Sequence, residues 1–94
     1  MNYIVYCLDH DGMVDKRMSN YDAHKAYLAT SPVTTLVSGP VTASDNQTMI
    51  GSFFLYEADS IEEIQNFIKD DPFNKASIWK TIDIRPFLKR VDNR

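Results

Sequence analysis

The chain is short of the residue patterns that usually announce a function. It has one cysteine, Cys7, so no intramolecular disulfide can form, which is compatible with a reducing compartment. It has three glycines, and none sits in the spacing of a phosphate-binding loop or a dinucleotide fingerprint. Basic residues are outnumbered, 10 Lys and Arg against 13 Asp and Glu, for a net charge of −3 and a pI near 5.1. A general nucleic-acid binder needs a basic face to displace counterions, so that partner is disfavoured. No apolar run approaches the roughly 20 residues that span a bilayer. The N-terminus also lacks the basic stretch and apolar core of a signal peptide. The expectation is a cytoplasmic protein without a membrane or nucleic-acid partner.

What is present suits one small domain over residues 1–94, with 44% of them hydrophobic. A domain this size buries a modest share of its surface, so a second copy of itself is a plausible source of stability. The run Tyr3 to Leu8 is β-branched and aromatic and apolar on both faces, the pattern of a central strand. The segment from Asp9 to Arg17 has turn chemistry and reads as a loop. Ser19 then suits a helix cap, and Asn20 to Ala29 form a helix with a broad apolar arc. His24 lies inside that arc. Val33 to Val37 reads as a short strand ended by Gly39-Pro40, followed by a polar, mobile loop. Met49 to Tyr56 is a second apolar strand, in which Gly51 marks a bulge or a close backbone approach.

Ser60 and Glu63 make a capping box, and Ile61, Ile64, Phe67 and Ile68 follow at helical spacing. This helix is expected to end at Asp71, because the residue before Pro72 disfavours helical dihedrals. Ile78 to Arg85 alternates as a last strand and runs to Pro86-Phe87. The order strand, helix, strand, strand, helix, strand is the split βαβ plan. It predicts an α+β, ferredoxin-like βαββαβ fold: a four-stranded antiparallel sheet with two helices on one face. If Ile78, Ile82 and Ile84 face the helices, Trp79 lies on the opposite face. The two-sided apolar character of Tyr3 to Leu8 would leave that face exposed in a monomer, so a homodimer covering it is expected.

Two residues could carry acid–base chemistry. A lone histidine on an apolar arc, such as His24, is more often a packed residue than a catalyst. An aspartate at a helix exit, such as Asp71, is commonly solvated. If the helices run antiparallel the two could meet, and a carboxylate then orients the imidazole for general acid–base work. That would give Asp71 a reason to stand at a helix end that disfavours anions. Asp70 is expected to face solvent. Arg17 is either a surface charge or a holder of an anionic substrate group. Ser38 and Gly39 form a plain turn or offer donors to a ligand, and Ser38 has no triad to make it a nucleophile. Asp9, His10 and Asp11 cluster, but no metal-ligand spacing completes the set, and no cofactor site is evident.

In order along the chain, "YIVYCLD", "KRMSNYDAHKAYL", "SGP", "GSFFLYEADSIEEIQNFIKDDPF" and "IDIRPF" together resemble the YciI-like family of small bacterial proteins. The resemblance covers nearly the whole chain. It implies a dimeric ferredoxin-like α/β-barrel in which sheets from two subunits pack together. It also implies a His–Asp pair in a pocket, here His24 and Asp71, with Arg17, Gly39, Pro72 and Phe73 at other recurrent positions and Asp9 as a looser match. Relatives with assigned chemistry act on small, often aromatic, ring compounds by elimination-type steps. The resulting expectation is a small-molecule enzyme of lyase or isomerase type. His24 serves as general base, Asp71 orients it, and Arg17 or the Ser38-Gly39 backbone binds a substrate oxygen. Phe73 walls the pocket or anchors its turn. The competing reading is a non-catalytic dimeric module that binds a metabolite in the same pocket.

Overall fold

The computed structural model describes residues 1–30 and 32–94. Along the chain run β1 (Asn2–Asp9), α1 (Val14–Leu28), β2 (Thr34–Thr42), β3 (Met49–Glu57), α2 (Ile61–Lys69), α3 (Pro72–Lys75) and β4 (Trp79–Phe87). The strands form one antiparallel sheet in the order β2-β3-β1-β4. The α+β, ferredoxin-like plan expected from the element order is the observed one, with the extra helical turn α3 inserted before the last strand. The core lies between one sheet face and the helices. It joins Tyr3, Val5 and Cys7 of β1 and Phe54 and Tyr56 of β3 to Ile64, Phe67 and Ile68 of α2. Gly51 meets the close approach expected of it, since a Cβ there would collide with the carbonyl oxygen of Cys7.

Several local expectations are corrected. The segment read as a loop is helical from Val14, and Ser19 is no cap: its hydroxyl donates to the Lys16 carbonyl at 3.1 Å inside α1. His24 therefore stands in the second half of the helix. The broad apolar arc is buried only in part: His24 is buried and Tyr27 and Leu28 pack against the core, but Ala23, Ala26 and Tyr21 are exposed, and Arg17, before the expected helix start, is buried too. Apolar periodicity misses the start of this helix because the side chain it buries there, Arg17, is polar and satisfied by specific partners.

Strand β2 does not stop at Gly39-Pro40 but continues to Thr42. As an edge strand it tolerates Pro40, whose missing N–H can face away from the ladder. The polar loop that follows is tied down by Asp45, which accepts from the backbone N–H groups of Gln47 and Thr48 at 2.9 Å. Helix α2 ends at Lys69, with Asp70 as its C-cap, and Asp71 opens α3. Asp71 has the extended backbone, φ −60° and ψ 132°, that a following proline favours. Pro72 then takes the first helical position, where it lacks no needed donor.

The largest correction concerns Trp79. Its pairing partner is Asp9, whereas Leu8 pairs with Thr81, so Lys80 is the extra residue of a bulge. One inserted residue reverses the alternation, so Trp79 joins the helix-covered face and is buried. It cannot form the outer face. That face instead presents Tyr6 and Leu8 of β1, Val37 of β2 and Phe53 of β3, each 36–41% exposed.

Candidate active site

Helix α1 places Arg17 and His24 seven residues apart, two turns along one face, and both line a cavity of about 160 Å³. Ser38 and Gly39 of β2, Ser52 and Phe54 of β3, and Phe73 of α3 also line it, as do Tyr21 and Lys25 of α1.

His24 Nδ1 lies 2.7 Å from Asp71 Oδ1, and both side chains are buried. The same oxygen accepts the backbone N–H of Phe73 at 2.8 Å, so Asp71 also caps α3. Its place at a helix N-terminus, where an acceptor is wanted, removes the electrostatic oddity of a carboxylate at a helix exit. Asp70, one residue earlier, is exposed. An ionised carboxylate can only accept, so Nδ1 of the paired ring carries a proton, and Nε2 of a neutral ring presents its lone pair. Phe73 stacks on the imidazole, with centroids 3.9 Å apart and planes 6° from parallel. Phe54 and Trp79 meet the ring edge-on at 5.8 and 6.3 Å. The imidazole is thus held by one hydrogen bond and three aromatic neighbours. Asp71 Oδ2 is buried without a protein partner among the described residues.

Arg17 is 3% exposed, so it is not a surface charge. Its guanidinium makes a two-pronged pair with Asp9, Nε to Oδ2 and Nη2 to Oδ1, the second at 2.9 Å. Nη2 also donates to Ser52 Oγ at 2.7 Å. The cation lies 5.1 Å from the Phe73 ring centroid, which links the two buried pairs through one aromatic side chain. Asp9 binds Arg17, and it does not line the cavity itself.

Burial pushes the Cys7 thiol well up, with the Asp71 carboxylate adding to it, Arg17 opposing, and Asp9 adding a little. Burial likewise raises the Tyr56 phenol, with Asp71, Cys7 and Tyr27 contributing. Among the described residues, no group of three His, Cys, Asp or Glu side chains sits where it could hold a metal ion. No described helix is long and apolar enough to cross a membrane.

Sequence reasoning missed Ser52 and misplaced Trp79. Ser52 carried a readable signal: it is a small polar residue in register with Phe54 and Tyr56 on the core-facing side of an apolar strand. Trp79 carried none, because a bulge leaves no mark in alternation.

The chain is 29% identical to the protein YciI of Escherichia coli over 96 aligned positions, 95% of this chain and 98% of that protein. The YciI protein of Shigella flexneri is similar to the same extent. Among solved structures it is similar to 5-chloro-2-hydroxyhydroquinone dehydrochlorinase from Burkholderia phenoliruptrix in complex with 2,5-dihydroxybenzoquinone. That likeness has 33% identity and a TM-score of 0.79, over 94% of each chain. A protein of Arabidopsis thaliana shares the fold at a TM-score of 0.50 and 10% identity, over 99% of this chain and 98% of its own. A model of the YCII-related domain matches residues 1–88, and the chain belongs to that family.

Proposed function

We propose that this protein is a small-molecule enzyme of lyase or isomerase type acting on a compact ring compound that bears oxygen substituents. The observation that carries the reading is a buried His24–Asp71 hydrogen bond of 2.7 Å, whose histidine lines a cavity of about 160 Å³. A cavity of that order is about what a benzene ring needs. The dehydrochlorinase likeness supports the same ligand class. His24 Nε2 takes the proton of a ring hydroxyl, and the O–H electron pair becomes a carbonyl π bond. The electrons so displaced either capture a proton elsewhere on the ring or expel a leaving group as an anion. Asp71 keeps the imidazole in the needed tautomer and stabilises its protonated form. Ser38 and Gly39 border the cavity and are proposed contacts for the ring's oxygens, and Arg17 borders it beside them. Phe73 holds the imidazole plane.

The test is turnover of halogenated and non-halogenated hydroxyhydroquinones, followed by halide release and by absorbance of the quinone product. Loss of turnover in His24→Gln with ring binding retained supports the reading; wild-type protein that binds no ring compound overturns it. Binding without turnover across the series would favour the metabolite-binding module. That alternative has one specific observation behind it: Arg17 is bonded to Asp9 and Ser52, which leaves His24, backed by Asp71, as the acid–base group on the cavity wall among the described residues.

We also propose that the protein works as a homodimer joined through the outer sheet face. The support is the exposed apolar set Tyr6, Leu8, Val37 and Phe53 on a sheet whose other face is already covered.

A further inference from the structure

Ser52 is a buried polar side chain on the cavity wall whose hydrogen bonds do not close among the described residues. Its hydroxyl has two lone pairs and one hydrogen. Arg17 Nη2 donates to it at 2.7 Å and Trp79 Nε1 donates to it at 3.2 Å, and neither group can accept a bond in return. Both lone pairs are therefore used, and the hydrogen must point in the remaining direction. No acceptor among the described residues takes it, although the residue is only 2% exposed. Ser52 lines the cavity that His24 lines.

We propose that the Ser52 hydroxyl is a fixed hydrogen-bond donor for an anionic oxygen of the bound ring, aimed by Arg17 and Trp79. The inference rests on the proposed ring-compound function and names the ligand feature the cavity selects: an enolate or phenolate oxygen. Arg17 does not reach the ligand as a free charge, because Asp9 already offsets it. It acts through the serine. A hydroxyl that accepts from a guanidinium is polarised and becomes a stronger donor. When a ring hydroxyl gives its proton to His24 Nε2, one O–H bond breaks and one N–H bond forms. The O–H electron pair stays on oxygen as negative charge, and Ser52 donates to that charge. Arg17 and Trp79 are positioning residues in this scheme, and Ser52 is the group that touches the ligand.

The test uses two probes: 2,5-dihydroxybenzoquinone, whose enols are vinylogous acids ionised at neutral pH, and its dimethyl ether, which has no anionic oxygen. Both are titrated by absorbance into wild type, Ser52→Ala and Ser52→Thr. A hydrogen bond to a charged group corresponds to about a ten- to hundredfold change in affinity. Ser52→Ala should therefore lose about that factor for the dihydroxy probe and less than about threefold for the ether. Ser52→Thr, which keeps the hydroxyl, should recover most of the loss. Equal loss for both probes would make Ser52 a packing residue and overturn the proposal, as would an unchanged affinity for the anion. Those outcomes leave the ring-compound reading standing. Failure of wild type to bind either probe would remove that reading, and this inference with it.

Discussion

Two buried side-chain pairs start from helix α1, and they are built to different standards. The Arg17–Asp9 pair is the more closed: two parallel bonds join a permanent cation to its carboxylate, and the second N–H of Nη2 is used by Ser52. The His24–Asp71 pair is open: among the described residues the ring's second nitrogen meets no acceptor or donor, and Asp71 Oδ2 has no partner. A closed pair holds geometry, because any movement breaks a compensated charge in a medium that screens poorly. An open pair leaves capacity for a proton or a ligand. Under the proposed function the difference is a division of labour, in which Arg17–Asp9 is scaffold and His24–Asp71 is reagent.

The sharpest way to break that comparison is at the open pair. Under the proposed function, His24→Gln and Asp71→Asn should each lower kcat by roughly 10²- to 10⁴-fold, the usual range for a positioned base and its orienting carboxylate. Asp70→Asn should leave kcat within about twofold, since its exposed side chain diverges from the site. Steady-state kinetics of the three variants decide it. Equal effects from Asp70 and Asp71 would dissolve the pair as a functional unit.

The closed pair should answer in stability. Arg17→Met strands the Asp9 carboxylate, whose side chain is 3% exposed, and should cost about 3–5 kcal/mol in urea unfolding. His24→Gln should cost under about 1.5 kcal/mol, because glutamine can still donate to Asp71. If the two costs proved equal, the scaffold and reagent roles would not be separable.

Smaller effects probe the two sheet faces. Phe53→Glu, on the outer face opposite Tyr6, should weaken self-association by about tenfold or more in sedimentation at micromolar concentration. Trp79→Phe, on the inner face, should leave association unchanged. On the inner face, too, the raised thiol of Cys7 means less thiolate at any given pH. Native protein at pH 8 should resist iodoacetamide and label only when unfolded; rapid native labelling would contradict the buried site. The least effect is expected from Pro72→Ala, roughly 0.5–1 kcal/mol, since Pro72 restrains the unfolded chain and sets the turn that carries Asp71.

The amino-acid sequence by itself determined the order of the four strands and the two longer helices, because strand patterning and the Ser60-to-Ile68 capping and stripe are local patterns read over a few residues. That order is enough to specify an antiparallel sheet covered on one face. It also contained His24 and Asp71 as candidates, through residue type and the Asp-Pro-Phe stretch. Local pattern could not supply the start of α1, whose inward residues are Arg17 and His24 and so look like a loop or a solvated face. Nor could it supply the bulge at Lys80 that turns Trp79 inward, or the use of Asp71 as the cap of a new helix rather than the end of an old one. Those features are decided by partners 47 residues apart in the case of His24 and Asp71, and 35 apart for Arg17 and Ser52. A buried polar side chain is stable only where its partner is, and the partner's position is a property of the folded sheet, not of the neighbouring sequence.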